Sequence, residues 1–425
     1  MDLVAAEAAE SSASPIVSLF WIALAAAPAP VISRLLRGYV PDVVLLLVFG
    51  ILIGPHALAW AGSGGGVELV GELGLGMLFL LAGYELDPRL LRGRSGGQAW
   101  AVWVVCLALA FAAVAALTWW EGLAGPEMTR PSVTSVIAVA IAMTSTALGT
   151  LLPIVKQDGL LTQPLGRAVL AHGAVGELGP IVAMSVLLTS RSLVSALVVL
   201  LLFVLAAMLV ALVNQRVLDR VPGAAGLLER LSGGTTQLPV RVVFLLLLIL
   251  MAVAETFDLD VVLGAFAAGL ILRTLVPAGA DRVGQAWETI GFGVFIPVFF
   301  VVSGMGIDIG AVVGSPLLWL GFVLTIAVVR GGPVWIGERF VTHGANLASG
   351  RERTRLALYA ATGLPIIVAV TQVATSADLL GADVASTMVA AGATTVLVFP
   401  LVARLLGGGG EREPALRSGA SRTQS

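Results

Sequence analysis

The sequence predicts an all-α polytopic membrane protein with about 13 transmembrane helices arranged as inverted repeats. Three observations predict it. Of the 425 residues, 58% are hydrophobic and 12% charged, against roughly 25% charged in soluble chains. Apolar runs bounded by Gly, Pro and Arg recur along the whole length, and the cations between them fall almost entirely on one side. Spans of about 20 residues each leave short loops and no room for a soluble catalytic domain, so any chemistry must sit inside the bilayer.

The runs lie at about 15–33, 41–60, 68–85, 99–120, 132–154, 166–189, 193–213, 242–257, 259–276, 290–309, 314–336, 356–376 and 380–405. With the N-terminus outside, 21 of the 24 cations flank the cytoplasmic ends, only Arg130 and Arg191 stay outside, and Arg330 lies within span 11. That bias fixes orientation and predicts a multi-pass protein of the plasma membrane with a cytoplasmic C-terminus. The longest loop, 214–241, divides the chain near its middle. The acidic start lacks the basic region of a signal peptide, so span 1 is expected to be retained. One cysteine, Cys106, excludes a disulfide framework, and His56, His172 and His343 share no ligand spacing. No cofactor, no nucleic-acid partner and no metal beyond a transported ion are expected.

An internal match supports the division. Span 3 ends FLLAGYELD (Phe79–Asp87) and span 10 ends FVVSGMGID (Phe300–Asp308); DVVL opens span 2 at Asp42 and span 9 at Asp260. Both offsets are seven spans. Seven is odd, so the halves would run in opposite senses across the membrane, the architecture of many secondary transporters.

Ionisable groups in hydrocarbon cost ~2.5 to 3.5 kcal/mol even on lenient scales and are functional candidates by default. Glu177 lies in mid-span 6, Arg330 in mid-span 11, Glu72 in span 3 and Glu255 late in span 8; Asp42, Glu85, Asp87, Asp260 and Asp308 sit near span ends, where a solvated or capping role is the expectation and a functional one the alternative. Glu177 is set in HGAVGELGPI. Pro180 has no N–H, so the Gly176 carbonyl loses its helix partner, and a carboxylate beside a freed carbonyl suits a hard monovalent cation. A structural ion pair with an arginine is the alternative, although Gly and Pro make a poor setting for a strut.

Span 5 contains TSTALGTLLP, where Thr144, Ser145 and Thr146 offer hydroxyls and Pro153 frees the Gly149 carbonyl; span 12 contains ATGLP, where Gly363 precedes Pro365, which frees the Ala361 carbonyl. Interruptions at corresponding places in two halves point to broken helices around a midplane site. Pro333 frees the Val329 carbonyl, so irregular backbone is expected beside Arg330.

GILIGP in span 2, ELGLGMLFLLAGYELDP in span 3, TSTA in span 5, GLLTQPLGRAVLAHGAVGELGPI into span 6, LGAFAAGLIL in span 9 and FIPVFFVVSGMGID in span 10 together resemble the monovalent cation:proton antiporter-2 family. Six motifs in order over most of the chain make the resemblance specific. It implies the sodium/proton antiporter-like fold with two broken crossing helices. It also implies a homodimer in the lipid bilayer, a dimerisation part at about 15–98 and 242–313, and a moving core at about 99–213 and 314–405. Residues 1–14 then form an extracellular tail and 406–425 a disordered cytoplasmic one, with no regulatory domain expected after span 13. The implied activity is exchange of Na⁺ or K⁺ for H⁺. Glu177 is the shared site, Gly176, Thr144, Ser145 and Thr146 are further cation ligands, Arg330 is a counter-charge, and Glu72 and Glu255 are structural acids. Two positions depart from the family pattern: Gly176-Glu177 stands where an Asp-Asp, Asn-Asp or Gln-Asp pair is usual, and Arg330 stands where electrogenic members carry lysine.

Rival readings are an ion channel, an organic-anion carrier using Arg330, a transport-inactive relative and, more remotely, an intramembrane enzyme. A channel calls for a symmetric filter or a ring of like charges. The chain has neither HExxH nor GxGD.

Overall fold

A computed structural model describes residues 14–36, 39–87, 90–91, 93–124, 132–188, 194–205, 208, 237–257, 259–275, 281–340, 347 and 349–407. Ten helical segments are long and apolar enough to cross a membrane. Three shorter apolar helices, Asp42–Ile53, Val194–Leu205 and Val261–Arg273, fall where spans 2, 7 and 9 are expected. The tails 1–13 and 408–425, loop positions 214–236, and Arg130 and Arg191 lie outside the described residues.

Several boundaries differ from those read in the sequence. Span 2 is expected to reach residue 60 but its helix ends at Ile53, because Gly54-Pro55 cannot continue it. The chain folds back instead, with Leu58 N–H donating to the Leu52 carbonyl at 3.1 Å and Trp60 N–H to Ile53 at 3.0 Å. Trp60 then packs on Trp21 of span 1, ring centroids 4.8 Å apart. Span 10 starts earlier than expected, in the helix Asp281–Ile290. Span 12 also starts earlier, at Gly350, where Ser349 and Glu352 form a reciprocal cap.

The spans pack as two bundles. In one, span 9 lies on span 3, span 10 on spans 2 and 3, span 8 on span 9, and span 1 on spans 2 and 10. In the other, span 4 lies on spans 5 and 6, span 12 on spans 5, 6 and 13, and span 11 on spans 4 and 13. Glycines set the closest crossings of the first bundle. A Cβ on Gly83 of span 3 would meet the span 9 backbone at Phe266 and Gly269, and one on Gly304 of span 10 would meet the span 2 backbone at Leu47. Gly269 and Gly50 make the returning contacts onto spans 3 and 10. Without a hydrophobic drive between helices in lipid, such close approach is a main source of cohesion.

Two single π-turns interrupt the helices, Gly291–Phe295 in span 10 and Ala327–Gly331 in span 11. Each contains the carbonyl that a following proline leaves without a donor, Gly293 before Pro297 and Val329 before Pro333.

Candidate functional site

Spans 5 and 12 both break, and the breaks cross. Span 5 is helical over Val133–Met143 and again over Leu148–Gln157; span 12 is helical over Gly350–Ala360 and again over Pro365–Ser376. The unwound segments satisfy one another. Ala147 N–H donates to the Thr362 carbonyl at 2.7 Å, and Thr146 N–H to the Gly176 carbonyl of span 6 at 2.8 Å. Gly363 lies so close to Ser145 that a Cβ there would meet its Oγ and carbonyl. Pro365 opens its half-helix, where a missing N–H costs nothing. The break in span 5 falls earlier than Gly149 and Pro153 suggest: both sit inside the second half-helix, and the signal that ends the first half is the run Thr144-Ser145-Thr146. Thr144 and Ser145 hydroxyls donate to the Ile141 and Ala142 carbonyls at 2.9 and 2.8 Å, which satisfies the terminal carbonyls of that half.

Arg330 is fully buried. Its Nη2 donates to Thr146 Oγ1 at 3.0 Å and to the His172 carbonyl at 2.9 Å, and its Nε donates to Thr146 Oγ1 at 3.2 Å. Thr146 Oγ1 in turn donates to the Ala360 carbonyl at 2.5 Å. One guanidinium thereby ties span 11 to the unwound part of span 5, to span 6 and to the end of the first half of span 12. Behind it, His172 Nε2 lies 3.5 Å from Glu338 Oε1, which also accepts from Gln98 Nε2 at 3.2 Å. The His172 and Glu338 side chains are 3% and 4% exposed. This polar cluster escaped the sequence reading, since Glu338 lies near a span end and His172 has no ligand spacing.

Glu177 is 3% exposed, and its Oε2 has no hydrogen-bond partner among the described residues. No ion pair joins it to Arg330 among those residues. Instead, Glu177 lines a cavity of about 490 Å³ between the two bundles. Asp42 and Glu85 line it from spans 2 and 3, Gly149 and Thr150 from the second half of span 5, and among the described residues no Lys or Arg is in its wall. The described lining therefore presents three carboxylates, an arrangement that concentrates positive ions.

The structure thus separates residues that the sequence grouped. Glu177 and Gly149 reach the cavity, while Thr144, Ser145, Thr146 and the Gly176 carbonyl are engaged in the crossing. Thr146 is also held against a guanidinium, which would repel a bound cation. Thr150, Glu85 and Asp42 join the site in their stead. Glu72 and Glu255 are exposed on spans 3 and 8, away from the cavity.

Residues 22–406 match the family described as sodium/hydrogen exchanger, transmembrane. The putative Na(+)/H(+) antiporter YjbQ of Bacillus subtilis (strain 168) is 24% identical over 305 residues, covering 69% of this chain and 48% of that protein. The glutathione-regulated potassium-efflux system protein KefC of Cronobacter sakazakii (strain ATCC BAA-894) is 26% identical over 400 residues, covering 92% of this chain and 60% of KefC. The chain spans about half the length of the curated relatives it matches. Two solved structures of the sodium proton antiporter MjNhaP1 from Methanocaldococcus jannaschii share the fold at 16% identity. One, at pH 8, gives a TM-score of 0.58 over 96% of this chain and 98% of that one. An electron-microscopy map gives 0.62 over 95% and 100%. With ten membrane-length and three shorter apolar helices among its described residues and a family match over nearly its whole length, the chain belongs to the sodium/hydrogen exchanger family.

Proposed function

We propose that the chain exchanges Na⁺ or K⁺ for H⁺ by alternating access, one for one, with Glu177 as the shared site. The observation that carries this reading is the Glu177 carboxylate, 3% exposed, with a buried and unpartnered Oε2, on a residue in the wall of a cavity whose other charged lining groups among the described residues are Asp42 and Glu85. A buried carboxylate is tolerated when it is neutralised. A proton or a hard monovalent cation can each do so, and one excludes the other. Thr150 and Gly149 lie at the same wall and carry neutral oxygens of the kind that hard cations require.

Spans 4–6 and 11–13 form the moving core in this reading and spans 1–3 and 8–10 the scaffold, related as inverted repeats. Glu85 at the end of span 3 and Asp42 at the start of span 2 line the cavity, and the positive-inside bias supports a cytoplasmic side for both ends. Glu68, Glu72 and Glu255 interact electrostatically on an exposed face of the scaffold; carboxylates are costly against lipid, which supports a second copy covering them in a homodimer.

Proton flux into proteoliposomes on addition of Na⁺, K⁺ or Li⁺ tests the reading. Wild-type protein is expected to move protons with at least one of these ions. Glu177→Gln, folded and eluting as the wild type does, is expected to move none. Full exchange in that variant would remove Glu177 from the mechanism.

A further inference from the structure

Glu85 is the last helical residue of span 3, on the scaffold bundle, whereas Glu177 is on span 6 of the other. Both line the same cavity. The end of span 3 is fixed in place: Arg273 Nη1 of span 9 donates to the Tyr84 carbonyl at 2.8 Å and to the Glu85 carbonyl at 3.2 Å. Those bonds use the backbone, which leaves the Glu85 carboxylate to the cavity. Arg273, the cation beside it, is engaged with those two carbonyls. The charged described residues that share the cavity with Glu85 or repel it are Asp42 from span 2, Glu288 from the start of span 10 and Glu177 from span 6, with electrostatic repulsion from Glu288 onto Glu85 and from Glu85 onto Glu177.

We infer that Glu85 is a one-sided cation-binding residue, which draws a monovalent cation toward Glu177 at this mouth of the carrier and has no counterpart role at the other. The inference rests on Glu177 being the exchange site. When the core bundle carries Glu177 to the opposite face, Glu85 stays behind on the scaffold. Its charge then acts on a cation only while this mouth is open. A fixed carboxylate in a narrow, low-dielectric cavity raises the local cation concentration, and its repulsion of an empty Glu177 favours that carboxylate's neutralisation. The equilibrium ratio of exchange is unaffected, because a wall charge is not transported. Apparent affinity on one face is what changes.

The test uses full-length protein in proteoliposomes of defined orientation. The driving cation, Na⁺ or K⁺, is titrated on one face at a time while the other face is held saturating. Glu85→Gln is expected to raise the half-saturating concentration about five-fold at the face of this cavity, as expected for one carboxylate acting across a hydrated path. Half-saturation at the opposite face is expected to stay within about two-fold of wild type, and Glu85→Asp should recover much of the affinity. Equal changes at both faces would reveal a structural effect and overturn the inference, as would no change at either. Should Glu85→Gln fail to fold, Glu85→Ala carries the same comparison. Inactivity of Glu177→Gln alongside unsided Glu85 variants would defeat this inference alone; an active Glu177→Gln would defeat the reading beneath it.

Discussion

The Arg330 guanidinium stands in the space that a side chain on Gly176 would need. A Cβ built on Gly176 meets Arg330 Nη2 and Thr146 Oγ1. The two positions at which the sequence departs from its family pattern are therefore one arrangement, in which the loss of a side chain in span 6 makes room for a long cation from span 11. Arg330 has its own acceptors in Thr146 and the His172 carbonyl, with the His172–Glu338 pair behind it. It leaves Glu177 free on the cavity side.

Gly176→Ala should accordingly destabilise the core. Overpacking of this kind costs about 1 to 3 kcal/mol, and both neighbours are themselves hydrogen-bonded. A lower melting temperature in detergent is expected, with partial recovery when Arg330→Ala is added, so that the two changes are not additive. An unchanged melting temperature in the single variant would mean that the crossing relaxes around a methyl group.

Thr146 and Thr150 stand four residues apart in the same span but should respond oppositely. Thr146→Val leaves the Ala360 carbonyl without its donor and removes one of the Arg330 acceptors, the His172 carbonyl remaining, and each buried unsatisfied group costs roughly 1 to 3 kcal/mol. Its effect should be on melting temperature, with cation half-saturation in the surviving activity close to wild type. Thr150→Val, at the cavity wall, should raise half-saturation about two- to ten-fold while melting changes little, because one neutral oxygen ligand is lost. Measuring both quantities on both variants separates strut from ligand.

Much of this arrangement was legible in the sequence because hydrocarbon punishes irregularity. Long apolar runs, and prolines that free a carbonyl, declare themselves by composition alone. Pro180 frees the Gly176 carbonyl, and the structure gives that carbonyl to Thr146 N–H; Pro333 predicts irregular backbone beside Arg330, where the π-turn lies. Side-chain direction was not legible. Thr144, Ser145 and Thr146 look like ligands in a list of oxygens, yet their hydroxyls complete a helix end and a crossing. Glu85 and Asp42 look like solvated span ends, yet the meeting of two bundles places them in the wall with Glu177. The bond from Thr146 to Ala360 and the meeting of Glu85 with Glu177 depend on segments more than 90 residues apart, which no local pattern encodes.

Charge stoichiometry gives the last prediction. Moving two protons for one cation needs two groups on the moving core that release protons during the cycle. Gly176 carries none, and an arginine does not surrender its proton in a protein. His172 and Glu338 belong to the same bundle as Glu177, but their side chains are 3% and 4% exposed and neither is among the described residues of the cavity wall, so the proposed cycle assigns them no part. Glu85 and Asp42 do line it, but from the scaffold, and a charge that stays in place contributes nothing to the charge transported. In the proposed cycle Glu177 alone remains, and a carboxylate neutralised in turn by H⁺ or by Na⁺ or K⁺ would cross in the same charge state in both directions. Turnover should therefore be electroneutral. With a valinomycin-set potential of either sign across proteoliposomes, initial exchange rates are expected to agree within experimental scatter. A rate that rises with one sign and falls with the other would require a second titrating group on the core, with His172 and Glu338 the first to substitute.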